Sequence, residues 1–123
     1  MYVTEKFRPA VIVPLDDVAA RELEALEVSD GAALHVVSVD IDAELAVLHQ
    51  SGFLEAVGEA TGCLLGEYEE DLVPAAMVSR VRKLAMSFGR PQRTGVTGRY
   101  LFAQIVEACE IAEARGYPIC FVF

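Results

Sequence analysis

The sequence predicts an α+β fold in one domain, residues 1–123, with a small mixed sheet of three or four strands packed against four or five helices. Three observations predict this class. The length of 123 residues is typical of a single domain, and 54% of the residues are hydrophobic. Short β-branched runs also alternate with longer runs in which apolar residues recur at helical spacing. A core of this size needs neither a metal ion nor a disulfide for stability.

Four apolar runs have the length and composition of strands. Pro9 restricts the first run to a sheet edge or to a start at Ala10. The second run carries β-branched residues on both faces, which is typical of an interior strand. The last run is apolar at every position from Ile119 to Phe123, so we expect it to be covered on both faces. The predicted strands are residues 7–13, 33–39, 63–68 and 117–123.

Five amphipathic runs predict helices. Asp16 or Asp17 can cap the first helix, Pro74 suits the first turn of the fourth, and Gly116 ends the fifth. Between the last two helices, residues 89–98 are rich in Gly, Pro and Arg, which predicts a flexible loop. The predicted helices are residues 17–27, 43–50, 51–61, 74–88 and 99–115.

The apolar runs are far shorter than the roughly 18 to 20 residues that cross a bilayer. The first nine residues contain no apolar segment of the kind that a secretory signal needs. Cys63, Cys109 and Cys120 form no C-x-x-C pair, and each has apolar neighbours, so we expect reduced, buried thiols. These features predict a cytosolic protein without a membrane partner.

The charge is unevenly distributed along the chain. Residues 9–79 contain fifteen acidic residues and one basic residue, Arg21, whereas residues 80–99 contain six basic residues and no acidic one. The formal net charge of the whole chain is -9. Because binding to nucleic acid requires a basic surface, this charge predicts that nucleic acid is not a partner.

The densest acidic cluster contains an aromatic residue, so it offers both steering charge and an anchor for a basic protein partner. It equally suits a solvated approach to the helix that begins near Pro74, because a helix N-terminus favours negative charge. In a third interpretation, its carboxylates converge with Asp40 or Asp42 in an acid/base pair or a metal site. The candidate partner-binding residues are Glu67, Tyr68, Glu69, Glu70 and Asp71.

The predicted Gly-rich loop supports an alternative function, the binding of a phosphate or carboxylate by a small-molecule-binding domain or an enzyme. Arginine side chains bind such anions bidentately. The candidate anion-binding residues are Arg90, Arg93, Gly95, Gly98 and Arg99. His35 and His49 lack a second ligand at metal-binding spacing, and no catalytic motif is recognisable. The sequence therefore predicts no cofactor and no metal, and it favours a binding protein over an enzyme.

Residues 51–123 resemble small acidic bacterial proteins, some of which are the immunity partners of polymorphic toxins. The resemblance rests on a Ser-Gly-Phe-Leu-Glu segment, the Glu-Tyr-Glu-Glu stretch and the closing Gly-Tyr-Pro-Ile-Cys-Phe-Val-Phe strand. It implies a protein that neutralises a basic toxin domain by tight binding, because complementary charge accelerates association. The basic stretch from Arg80 to Arg99 departs from this pattern, since it must face an acidic surface of its own protein or lie away from the partner.

Overall fold

The computed structural model describes residues 7–63 and 70–123, except for the side chains of residues 70, 91–97 and 99. A short 3₁₀ turn, Ala75–Met77, precedes the fourth helix. The helices are α1 Asp17–Glu24, α2 Glu44–Gln50, α3 Phe53–Thr61, α4 Val78–Phe88 and α5 Pro91–Arg115. The strands are β1 Ala10–Pro14, β2 Leu34–Ser38, β3 Glu70–Val73 and β4 Ile119–Val122. The predicted α+β class is confirmed.

The four strands form one sheet in the order β2-β1-β4-β3. Every pair is antiparallel, in place of the mixed pairing expected from the sequence. Ser38 pairs with Ala10, Ala10 with Val122, and Val122 with Glu70, so these four residues form one row across the sheet. This row marks the end of the sheet at which β2 finishes and β3 begins.

The strand β4 lies inside the sheet, between β1 and β3, and all four of its residues are buried. Ile119 and Phe121 face a large core, whereas Cys120 and Val122 face a smaller one on the opposite side. The prediction that the last apolar run is covered on both faces is therefore confirmed.

The prediction that β2 is an interior strand is wrong, because β2 lies at an edge of the sheet. Its residues are nevertheless apolar on both faces. Val37 packs into the large core, and Leu34 and Val36 pack against the small one. Helices cover both faces of this sheet, so even an edge strand requires apolar side chains in both directions.

The two cores differ in size. The large core lies between the sheet and the helices α2 to α5, and its centre is a group of three aromatic rings from Phe53, Phe88 and Phe102 with centroids 4.9 to 6.2 Å apart. The small core is closed by Leu23 of α1 and by Val28 of the segment that follows it. The sheet is thus the middle layer of three.

The predicted loop at residues 89–98 is also wrong, because α5 begins at Pro91. Only Gly89 and Arg90 connect α4 to α5. A Cβ on Gly89 would lie 3.0 Å from the Cβ of Phe102, so glycine permits this tight connection. Proline is favourable in a first helical turn. Packing of α5 against α4 and the sheet outweighs the roughly 1 kcal/mol that each internal glycine costs. The predicted end of this helix at Gly116, where φ is 74°, is confirmed.

The third strand that the structure describes follows directly after residues for which the sequence predicted a strand. It comprises Glu70–Val73, whereas the prediction was residues 63–68, of which 64–68 lie outside the described residues. Val73 fits the large core and Leu72 contacts the small one, so this register buries both side chains. Glu70 and Asp71 therefore belong to a strand and do not form a solvated approach to a helix. Among the described helices, none combines the length and the apolar character needed to cross a bilayer.

Candidate partner-binding surface

The segment after β2 forms a well-defined acidic turn, which comprises residues 40–44. One carboxylate oxygen of Glu44 accepts a hydrogen bond from the backbone N–H of Asp40 at 2.9 Å, and Asp40 Oδ1 accepts one from the N–H of Asp42 at 3.1 Å. The carbonyl oxygen of Asp40 also accepts the N–H of Glu44 at 3.0 Å. These bonds fix the turn that begins α2. The side chain of Ile41 is 66% exposed between two exposed aspartates, so the turn presents one apolar and several acidic groups to solvent.

A second acidic region begins at the start of α1. Asp16 is the N-cap residue, and its Oδ1 accepts a hydrogen bond from the N–H of Ala19 at 2.8 Å. Asp17 Oδ1 accepts a hydrogen bond from the hydroxyl of Tyr117 at 2.7 Å, and this bond raises the pKa of the Tyr117 hydroxyl. Arg115 donates to the carbonyl oxygen of Leu15 at 2.9 Å. The start of α1 is thereby held against the segment that leads into β4.

Open grooves of about 460 and 500 Å³ run along the two sides of α1. Asp17, Glu24 and Tyr117 help to line the first groove, and Glu22 and Glu27 help to line the second. Arg21 lies beside both, and it is the only basic residue between positions 9 and 79. The carboxylates of α1 are therefore accessible from either side of the helix.

Of the predicted partner-binding residues, Glu67, Tyr68 and Glu69 lie outside the described residues. Glu70 is the first residue of β3, and its side chain is also outside the description. Asp71 is half-buried, and its Oδ1 accepts a hydrogen bond from the N–H of Leu72 at 2.8 Å. The role of these five residues in partner binding stays a prediction.

Within the described residues, the strand that contains Glu70 and Asp71 is not adjacent to the strand that precedes Asp40 and Asp42. β2 and β3 are the two edge strands, separated by β1 and β4. Three strand spacings place Ser38 and Glu70 roughly 14 Å apart at the same end of the sheet. A catalytic carboxylate pair needs a much shorter separation. Within residues 7–63 and 70–123, no three His, Cys, Asp or Glu side chains are grouped so that they could hold a metal ion.

Two arginines of the basic segment bond to groups of their own protein. Arg80 Nη1 donates to the carbonyl oxygen of Ala60, in the last turn of α3, at 2.8 Å. Arg82 Nε donates to a carboxylate oxygen of Glu113 at 2.8 Å and so joins α4 to α5. The charges of these arginines are partly balanced by groups of their own protein.

The anion-binding alternative depends on an open Gly-rich loop, and the structure has a helix in its place. Arg93, Gly95, Gly98 and Arg99 belong to α5, and Arg90 is the exposed residue just before it. Beyond the first four residues of a helix, the backbone N–H groups are bonded within the helix. The amides of Gly95 and Gly98 therefore do not form an open turn that could surround a phosphate. Gly98 is in addition buried.

Cys109 lies in the large core and does not resemble a reactive thiol. Burial, supported by the negative charge of Glu113, raises its pKa to about 12. Nucleophilic cysteines have lowered pKa values instead. His35 is half-buried on β2 and His49 is exposed on α2. The described part of the chain thus offers acidic surfaces and no recognisable catalytic group.

The sequence did not assign the acidic turn to partner binding and indicated Asp40 and Asp42 as possible members of an acid/base pair or a metal site. The available signal was the spacing Asp-Ile-Asp-Ala-Glu directly after a strand. Such spacing places several carboxylates on one side of a turn and leaves the residue between them exposed. Side chains that fix this turn can therefore also form a contact surface.

No protein-family model matches the sequence, and no curated protein matches it. Among solved structures, the chain is similar to the Neisseria DNA mimic protein DMP12. The TM-score is 0.60 at 16% sequence identity, and the match covers 94% of this chain and 100% of that one. At this identity the likeness shows a shared fold.

The likeness overturns one prediction from the sequence. A basic toxin domain was expected as the partner, with no connection to nucleic acid, and this prediction is wrong. The similar protein is described as a mimic of DNA.

Proposed function

We propose that this chain is an acidic protein-binding module that occupies the DNA-binding surface of a DNA-binding protein. The observation that carries the proposal is the likeness of fold, along almost the whole chain, to a protein described as a DNA mimic. The net charge of -9 supports it, because a surface that binds phosphates is basic and attracts a carboxylate-rich competitor.

The acidic turn and α1 are the described surfaces best suited to this role. Their carboxylates are held by hydrogen bonds to nearby backbone N–H groups, as at Asp16, Asp40 and Glu44. A preorganised side chain loses less conformational entropy on binding. The exposed Ile41 adds an apolar contact that a purely electrostatic surface lacks.

The basic segment is compatible with this function. Arg80 and Arg82 bond to Ala60 and Glu113 of their own protein, so part of the positive charge is already engaged. The narrower hypothesis of an immunity role rests on the sequence resemblance alone. It predicts that the bound protein harms a cell that lacks this chain.

The test begins with the immobilised protein and a nuclease-treated extract of the source organism. Duplex DNA should elute a DNA-binding protein, which is then purified and mixed with fluorescent duplex. Adding the acidic chain should displace the duplex and lower its fluorescence anisotropy, and the competition should weaken steeply as salt increases. A ternary complex, in which the captured protein holds the duplex and the acidic chain together, would falsify the proposal.

Paired variants locate the contact surface. Asp40→Asn with Asp42→Asn and, separately, Glu55→Gln with Glu59→Gln each remove two exposed carboxylates and change the net charge equally. The first pair alters the acidic turn and the second alters α3. We expect the first pair to weaken competition about tenfold or more, and the second to have a much smaller effect. Equal effects would mean that only the total charge matters.

A further inference from the structure

The outer edge of β2 carries unpaired backbone groups. The N–H of Val39 donates to the carbonyl oxygen of Pro9 at 3.1 Å, one pair beyond the end of the β1–β2 register. In an antiparallel register, such bonded residues alternate with residues whose N–H and C=O groups point away from the partner strand. Three residues of β2 therefore direct these groups outward, and within residues 7–63 and 70–123 the groups have no hydrogen-bond partner. The three residues are Leu34, Val36 and Ser38.

The edge formed by β3 differs, because side chains of its own protein occupy its backbone groups. By the same alternation, Leu72 directs its N–H and C=O groups away from β4. Its N–H donates to Asp71 Oδ1 at 2.8 Å, and its carbonyl oxygen accepts a hydrogen bond from the thiol of Cys63 at 3.7 Å. Charged residues and prolines discourage pairing at an edge, and β2 contains neither. Of these two edges, β2 is therefore the more open to another strand.

A second copy of the same strand fits this edge in an antiparallel register. A two-fold axis perpendicular to the sheet, next to Val36, places Val36 opposite Val36 of the second copy and Leu34 opposite Ser38. Each of these pairs exchanges two hydrogen bonds, so every outward N–H and C=O group of β2 gains a partner. Rotation about this axis leaves each face of the sheet on its own side. Leu34 and Val36, which are half-buried on the small-core face, are therefore covered further by uncharged side chains.

We propose that β2 pairs with β2 of a second copy of this chain and thereby joins two four-stranded sheets into one continuous sheet. Two observations favour a second copy over a charged partner strand. The sequence of β2, Leu-His-Val-Val-Ser, contains no carboxylate, lysine or arginine with which a charged strand could pair. In the register given above, Asp40 lies opposite Ala32, so the acidic turns of the two copies do not face each other. The inference does not depend on the proposed function.

Sedimentation equilibrium from low micromolar to submillimolar concentration measures this association. We expect a reversible monomer–dimer equilibrium for the natural chain. The dimer should become tighter as salt increases, because each copy carries a net charge of -9 and salt screens the repulsion between them. Binding to a basic partner has the opposite salt dependence. A natural chain that stays monomeric throughout the range, or a dimer that weakens with salt, overturns the proposal.

Ser38→Pro tests the contact itself, because proline lacks the N–H that would donate to Leu34 of the second copy. Proline is tolerated where the N–H of an edge strand faces solvent, so the single chain should stay folded, which circular dichroism checks. We expect the dimer to weaken about tenfold or more, since the two-fold axis removes two hydrogen bonds at once. Ser38→Ala keeps the N–H and is the matched control, so it should dimerise as the natural chain does.

Amide hydrogen exchange of the natural chain provides a second measurement that needs no variant. Raising the protein concentration should slow exchange at the amides of Leu34, Val36 and Ser38, because dimerisation pairs them. The amide of Leu72 already bonds to Asp71 and should not change. A dimer that leaves the three amides of β2 unprotected, or that Ser38→Pro does not weaken, would mean that another surface joins the copies.

Discussion

The acidic region, residues 9–79, and the basic segment, residues 80–99, differ in the sequence separation of the hydrogen bonds that their charged side chains form. In the acidic region, carboxylates accept hydrogen bonds from backbone N–H groups two to four residues away, as at Asp16, Asp40 and Glu44. In the basic segment, Arg80 and Arg82 bond to groups 20 and 31 residues away. Asp16, Asp40 and Glu44 therefore organise local turns, whereas Arg80 and Arg82 join separate helices; Asp17, which binds Tyr117, is a long-range contact of the acidic region.

The difference follows from side-chain length and from the helix dipole. A short aspartate reaches the free N–H groups of a helix start, where negative charge is favourable, and its other oxygen stays in water. A long arginine can cross to a neighbouring helix. The acidic side chains thus stabilise the fold and remain available to a partner, whereas Arg80 and Arg82 are engaged within the protein.

The largest effect is expected in the large core. Phe121 is fully buried there, on the strand β4 between β1 and β3. Phe121→Ala should lower the free energy of unfolding by about 3 to 5 kcal/mol, because it removes apolar contacts and leaves a cavity. Urea unfolding measures this loss. Tyr100→Ala, at a side chain that is 68% exposed, is the control and should change stability little.

A pH series should show the burial of Cys109 beneath the Arg82–Glu113 pair. The thiol has a pKa of 9.0 in an unfolded chain and about 12 in the fold. Between these values the unfolded chain has released a proton that the folded chain retains, so stability falls as pH rises, by at most about 1.4 kcal/mol per pH unit. In Cys109→Ala this contribution is absent. Parallel stability curves for the two proteins above pH 9 would contradict the assignment.

Two substitutions of Asp16, the N-cap residue of α1, distinguish the effect of its hydrogen bond from the effect of its charge. Asp16→Ala removes the acceptor for Ala19 and should cost about 0.5 to 2 kcal/mol. Asp16→Asn keeps an oxygen acceptor and should cost only a few tenths of a kcal/mol, because Asn and Asp are similarly strong N-cap residues. Thermal unfolding compares the variants. A loss as large for Asn as for Ala would mean that charge, not capping, stabilises this helix start.

The smallest expected effect concerns the arginine contact between helices. The Arg82 and Glu113 side chains are each 28% exposed, so solvent screens their attraction. A double-mutant cycle with Arg82→Gln and Glu113→Gln should give a coupling energy of about 0.2 to 1 kcal/mol. The coupling should decrease in high salt. A value near zero would show that packing alone joins α4 to α5.

Local signals predicted the features that depend on local chemistry. Gly116 identified the end of α5 because a left-handed backbone favours glycine, and the apolar run at Ile119–Val122 identified a strand covered on both faces. Features set by tertiary contacts were not predictable in this way. The start of α5 depends on how closely Gly89 approaches Phe102, and the edge position of β2 depends on which strand pairs with β1.

The candidate partner-binding surface was likewise predictable only in the part that depends on local sequence. The sequence identified the acidic run at residues 67–71 by its density of charge, but exposure and orientation depend on the sheet. Asp71 is half-buried within the edge strand β3, whereas Asp40 is exposed in the turn that follows the other edge strand, β2. Charge density alone therefore does not identify the side chains that meet a partner.

The position of β4 in the sheet has a consequence during synthesis on the ribosome. The other three strands emerge first, but β1 and β3 join one sheet only when β4 pairs with both of them. Until then, a nascent chain exposes unpaired backbone along β1 and β3, and such edges recruit other chains. Chains interrupted before Ile119 should therefore depend on chaperones or be degraded, so that only chains with the closing strand accumulate.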